Sequence, residues 1–103
     1  MDITADMAGC WLDGAHGWHN AYRVVDRAEG YGFTVPREYE DSLSLYRQDG
    51  PAAREEVQEA MNGHGGLSDQ ATEYLNERAP EGYVFVWDAG ELSLMTEADA
   101  EFI

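Results

Sequence analysis

The spacing of apolar positions changes near residue 80. Before it they recur at helical intervals, and after it they alternate. Met7, Cys10 and Trp11 fall at i, i+3 and i+4, which predicts a first helix through about Leu12. Thr4 caps it, and Asp6 in its first turn suits the helix dipole. The glycines of "DGAHG" break it. Trp18, Tyr22, Val25 and Ala28 then trace one buried face of a second helix over 18–29. Gly30 and Gly32 end it, and Phe33 folds back over its last turn. Pro36 opens a third helix with Tyr39, Leu43 and Tyr46 inward. Pro51 opens a fourth, with Val57, Ala60 and Met61 inward and Gly63 as its stop. Ser68 and Asp69 start a fifth, with Ala71, Tyr74 and Leu75 inward, and it stops before Pro80.

"YVFVW-DAG-ELSLM" reads as two β-rich runs around a three-residue turn, with Gly90 supplying a left-handed residue. If Trp87 pairs with Glu91, the pleat puts Val84, Val86, Leu92 and Leu94 on the face toward the helices. Tyr83, Phe85 and Trp87 then share the opposite face with Glu91, Ser93 and Met95. "TEADAEFI" leaves as an acidic tail. The predicted class is α+β, mostly α: a small bundle of four to five short helices followed by a C-terminal β-hairpin. Residues 1–95 make one globular domain and 96–103 the acidic C-terminal tail. A two-stranded hairpin is marginal alone, so this one leans on the helices or on another chain.

Composition bounds the function. The 103 residues are 44% hydrophobic, enough for a core. The chain holds 21 acidic residues against 6 basic ones, all arginine, for a net charge of −15. Direct nucleic-acid binding and an anionic membrane surface are disfavoured, because both need a basic footprint. A basic partner is favoured. Without lysine there is no Walker lysine, Schiff base or Ser–Lys pair. One cysteine, Cys10, cannot form an intrachain disulfide, which suits a reducing cytoplasm. No basic-then-apolar leader opens the sequence, and no apolar run approaches the roughly 18 residues of a membrane span. The expected localisation is cytoplasmic.

"GCWLDGAHGWHNAY" gathers the residue types of a zinc site: Cys10, Asp13, His16 and His19. Gly14 and Gly17 interrupt the helix that would align them, and the spacing matches no metal motif. A corner between two helices is the simpler reading. Cys10 beside a histidine has the makings of a nucleophile pair, but on an apolar face with Met7 and Trp11 its thiol is inert. His64, in "GHGG", has neither a following lysine nor a preceding strand, so phosphate binding has little support. No catalytic residue, metal or cofactor is expected.

The partner-binding candidates are acidic and aromatic. Glu55, Glu56 and Glu59 cluster on the fourth helix, and Glu73 and Glu77 lie four apart on the fifth. Each cluster alone reads as a solvated face. Together they matter more, because residues 63–103 carry nine acids against one arginine, and like charges at i, i+4 cost helix stability. Tyr83, Phe85 and Trp87 form a stripe that is either a second core layer or an interface, for a partner or for a homodimer through the hairpin.

Taken whole, "WLDGAHGWHNAYRVVDRAEGYGFTVP" and "APEGYVFVWDAGEL" resemble small acidic proteins of actinobacteriophages, in their all-arginine basic residues, acidic balance and short length. No active-site residue is carried across. The resemblance implies a protein that binds and inhibits a host protein, in some cases by imitating the charge of DNA. The expected function is a non-enzymatic acidic binding protein that occupies a basic, nucleic-acid-binding site on a host protein. The alternative is a structural or housekeeping homo-oligomer whose acidity serves solubility, and a halophilic source would also explain the charge.

Overall fold

A computed structural model of the chain describes residues 3–88 and 90–101, with the side chains of residues 15–17 outside that description. The fold is a small α+β domain, mostly helical, that ends in a β-hairpin. Four helices, α1 (Asn20–Glu29), α2 (Glu40–Asp49), α3 (Glu55–Asn62) and α4 (Leu67–Glu77), pack beside an antiparallel sheet. The sheet is formed by β1 (Gly9–Leu12), β2 (Tyr83–Asp88) and β3 (Glu91–Thr96), in the order β1-β3-β2.

The first helix expected from the sequence is not formed. A 3-10 turn, Ala5–Met7, leads directly into β1. Gly9 takes φ 127°, a value foreign to a helix. A helix of about nine residues is also marginal on its own, whereas β1 gains a ladder with β3. Trp11 is the extra residue of a bulge: Cys10 pairs with Ser93, and Leu12 with Leu92. The bulge returns Leu12 to the core while Cys10 stays exposed. The reading of Cys10 as a buried thiol is therefore corrected.

The remaining helices follow their apolar stripes, with small shifts at their starts. A 3-10 segment over Gly14–His19 precedes α1, so Trp18 lies ahead of the α-helix. Val24, Val25 and Ala28 are its buried apolar positions. Its end is the glycine-terminated motif expected: the Phe33 N–H reaches back to the Ala28 carbonyl at 3.0 Å, and the Gly32 N–H to that of Glu29 at 3.1 Å. Leu43 and Tyr46 of α2, Val57 and Met61 of α3, and Leu67, Ala71 and Leu75 of α4 complete the helical core. The prolines sit just ahead of the α-helices, Pro36 before a 3-10 turn (Arg37–Tyr39) and Pro51 inside another (Gly50–Ala52). Gly50 is required by space as well as by its backbone. A Cβ there would lie 2.7 Å from the Trp18 ring, and φ is 53°.

The hairpin differs from expectation by one residue. Asp88, not Trp87, pairs with Glu91, which leaves two residues between the strands. Trp87 pairs with Leu92, Phe85 with Leu94 and Tyr83 with Thr96. A one-residue shift exchanges the faces of β2. Tyr83, Phe85 and Trp87 now share the inner face with Leu92 and Leu94, while Val84 and Val86 point outward with Ser93 and Met95. Phe85 is 4% exposed, and Trp11 meets it edge-on at 4.7 Å between ring centroids. The larger aromatic rings have more surface to remove from water than two valines do, which favours this register. It also sets Asp88 opposite Glu91, a like-charge pair that opposes it.

The acidic segment after β3 starts as structure. Thr96 Oγ1 caps a short helix, α5 (Glu97–Ala100), by accepting the Asp99 N–H at 3.1 Å. The Glu97 N–H is held by the Gly82 carbonyl at 2.9 Å. Among the described residues, no helix is long and apolar enough to cross a membrane.

Candidate functional site: an aromatic cleft bordered by acidic hollows

Asn20 is the first residue of α1 and is 2% exposed. Its Nδ2 donates to the Asp13 and Gly90 carbonyls, both at 2.8 Å. One buried amide thus ties the end of β1, the start of α1 and the turn of the hairpin. The opening "DGAHGWHN" stretch is indeed a corner, though one between a strand and a helix. Within it, His19 stacks on Trp18 with centroids 4.0 Å apart. The His16 side chain lies outside the described residues. Among the described residues no three His, Cys, Asp or Glu side chains group as metal ligands.

Beside this corner a cleft of about 440 Å³ opens, walled by Trp18, Tyr46 and Trp87. Trp18 is backed by Gly50 and meets Tyr46 edge-on at 5.8 Å. Tyr46 is buried, and its hydroxyl accepts from Asn62 Nδ2 at 3.0 Å and donates to the Trp18 carbonyl at 3.5 Å. Gln58 Nε2 donates to the Gly50 carbonyl. Ser68 Oγ donates to the Ala21 carbonyl at 2.6 Å. On the far wall, Trp87 Nε1 donates to Thr72 Oγ1 at 3.0 Å. Asp69 also lines the cleft, and its Oδ2 accepts the Gly65 N–H at 3.0 Å.

The same Asp69 borders a second hollow with His64, Gly65, Thr72 and Glu73. A third adjoins it across the His64–Gly65 loop, lined by Glu56, Glu59 and Tyr39. The α3–α4 turn therefore gathers Glu56, Glu59, Asp69 and Glu73 around one loop and joins them to the aromatic cleft. Among the described residues, Glu55, Glu56, Glu59 and Glu73 form no ion pair. Glu77 approaches Arg78 at 3.7 Å. Arg47 pairs with Asp26 and sits over Tyr22, and Arg78 lies 3.5 Å over the Tyr74 ring. These cations are engaged away from the α3–α4 turn.

No protein-family model, curated protein or solved structure matches the chain. The site is therefore judged on its geometry alone.

Of the residues singled out in the sequence, all five glutamates are exposed, but only Glu56, Glu59 and Glu73 border the hollows. Glu55 begins α3 and Glu77 ends α4. Trp87, 36% exposed, keeps a surface edge; Phe85 does not, and Tyr83 is half-buried against the core. The stripe read as either a second core layer or an interface is thus divided, with Trp87 in the cleft and Phe85 in the core. Asn20, Gln58, Asn62 and Asp69 were missed as cleft residues. Asn20 carried a signal, because it interrupts the apolar stripe of α1 four residues before Val24. The two amides on α3 carried none, being ordinary polar positions of an amphipathic helix.

Cys10 has its own surroundings. Desolvation, a hydrogen bond with the Glu91 carboxylate and the charges of Glu91 and Asp13 raise its thiol pKa above the ordinary value. It is poorly nucleophilic because local desolvation and the neighbouring carboxylates both penalise its thiolate, although the residue itself is exposed.

Proposed function

We propose that the chain is a non-enzymatic acidic binding protein that occupies a basic, nucleic-acid-binding site on a partner protein, using the α3–α4 turn as its contact. The observation that carries this reading is the gathering of Glu56, Glu59, Asp69 and Glu73 around the His64–Gly65 loop, with no arginine in an ion pair with them among the described residues. Such a field attracts a basic surface from a distance and repels phosphate. The setting is the cytoplasm, where an exposed Cys10 thiol stays reduced. The test is binding to a basic DNA-binding partner at increasing salt, in competition with duplex DNA. Association should slow steeply as salt rises, and DNA should compete. Changing Glu55, Glu56, Glu59, Glu73 and Glu77 to Gln should slow association most. A partner bound equally well by that variant, and indifferent to DNA, would remove the reading.

A second reading has its own support. The outer sheet face carries Val84, Val86 and Met95, none of them fully buried. A homo-oligomer through this face, with acidity serving solubility, would show as a concentration-dependent mass in sedimentation, lost on Val86→Glu.

A further inference from the structure

The cleft walled by Trp18, Tyr46 and Trp87 is weighted toward acceptors. Most of its lining donors are engaged inside the protein. Asn20 Nδ2 serves two carbonyls, Gln58 and Asn62 each donate through their amide nitrogens, and Tyr46, Ser68 and the Trp87 indole are all engaged. The exceptions among the described residues are the Trp18 indole N–H and the second amide N–H of Gln58 and of Asn62. Against these stand more acceptors: Gln58 Oε1, Asn62 Oδ1, the Ser68 lone pairs and the Asp69 carboxylate, alongside the partly exposed Trp87 ring. Among the described residues no cationic side chain lines the cleft. An acceptor-rich, aromatic, negatively charged cleft suits a donor-only cation.

Arginine fits better than lysine on geometry. A guanidinium is flat, carries five N–H donors and stacks on aromatic rings, whereas an ammonium is compact and more strongly hydrated. The protein already uses this contact internally, in Arg78 over Tyr74. An anion at the start of α4 is the opposing candidate. Asp69 stands there already, holding the Gly65 N–H, and the net charge of −15 resists a second negative group.

We propose that this cleft receives an arginine side chain of the basic partner, its guanidinium packed on the exposed Trp87 ring and hydrogen-bonded to Asp69. The proposal rests on the binding reading above and names the side chain that the partner inserts. It also explains why Asp69 borders both the cleft and the acidic hollow: the hollow draws the basic surface in, and the cleft takes one residue of it.

The test needs no partner. A nitrogen–proton correlation spectrum of the full chain should show three indole N–H signals, from Trp11, Trp18 and Trp87. The probe is the peptide acetyl-Gly-Arg-Gly-amide. Its addition should move the Trp18 and Trp87 signals saturably. Trp11, whose N–H is held by the Met7 carbonyl on another surface, should stay still. The lysine peptide should bind more weakly, and the citrulline peptide, an uncharged isostere, about tenfold more weakly or worse. Asp69→Asn keeps an acceptor for the Gly65 N–H and should weaken the arginine peptide about tenfold while leaving the rest of the spectrum in place. Equal binding of citrulline, or equal movement of Trp11, overturns the proposal, as does an absence of saturable movement. The five-Gln variant separates the two readings. It should lose the partner's fast association yet keep the arginine peptide. A partner that binds Asp69→Asn as tightly as the unaltered chain would sink the inserted arginine and leave the acidic contact standing.

Discussion

The two edges of the sheet are protected by different means. β2 is six residues long and regular, a good template for a foreign strand. Its outer edge is covered: Asn76 Oδ1 of α4 accepts the Phe85 N–H at 2.7 Å, and one turn earlier Thr72 holds the Trp87 indole. Among the described residues, no side chain covers the free edge of β1 in this way. That strand is four residues long, bulged at Trp11, and exposed at Gly9 and Cys10. An open edge offers unpaired backbone groups to any passing strand, so a regular edge needs a lid while a short, kinked one does not. Thr72 and Asn76 lie four apart on α4, with Ala71 and Leu75 beside them in the core. The helix that buries the inner face of β2 therefore also seals its edge.

The sharpest way to break this comparison is at the inner face of β2. Phe85→Ala should cost about 3–5 kcal/mol, the usual range for removing a buried phenylalanine. Val84→Ala, on the outer face, should cost about 1 kcal/mol or less. Denaturant unfolding measures both. Equal costs would mean that the strand does not hold this register.

The edge cover comes next. Asn76→Ala leaves the Phe85 N–H without its acceptor, at a cost of about 1–3 kcal/mol. Amide exchange at Phe85 should accelerate, while the Leu92 and Leu94 amides of the central strand stay slow at the level set by global stability. Unchanged exchange at Phe85 would show that Asn76 is not the lid.

What the sequence made legible divides along the same line. Helices α1 to α4 were readable because each buries one stripe at helical spacing: Val25 and Ala28, Leu43 and Tyr46, Val57 and Met61, Ala71 and Leu75. The hairpin was readable from alternation, but not its register. Both strands alternate on both faces, so a shift of one residue leaves the pattern intact while it exchanges Phe85 for Val84 and Val86. Only the packing of α4 decides between them. β1 was misread because "DMAGCWL" fits a helical stripe locally, and its strand exists only through β3, some 80 residues away in sequence. The glutamates were visible as charges but not as neighbours. It took the α3–α4 turn to bring Glu56 and Glu59 next to Glu73, and the cleft draws on α1 to α4, on β2 and on two 3-10 segments.

The acidic turn and the sheet should also respond differently to salt. Screening weakens repulsion among exposed carboxylates, most fully beyond the Debye length of about 10 Å at 0.1 M salt. Adding salt at neutral pH should raise Tm by a few degrees. The gain should shrink in the five-Gln variant and persist in Val84→Ala. A Tm that ignores salt would show that Glu56, Glu59, Asp69 and Glu73 are too well hydrated to oppose folding.

The smallest expected effect lies where the two edges meet, at Glu91. This residue faces Asp88 across the hairpin and stands beside Cys10 on β1. Glu91→Gln removes one of two opposed charges, so stability should rise by about 0.2–1 kcal/mol. The same change should alter the thiol. Desolvation and the Glu91 carboxylate hold the Cys10 pKa above its ordinary value, because both penalise the thiolate. Alkylation proceeds through the thiolate, so its rate should rise with pH along a curve displaced to higher pH than that of a free thiol. Without the Glu91 charge the curve should move back toward lower pH, and alkylation at pH 8 should become faster. Asp13→Asn should move it in the same direction by less, since Asp13 is the weakest of the groups that raise the pKa. If the curve stays in place in Glu91→Gln while the stability gain appears, desolvation alone protects the thiol, and the carboxylate matters only to the hairpin.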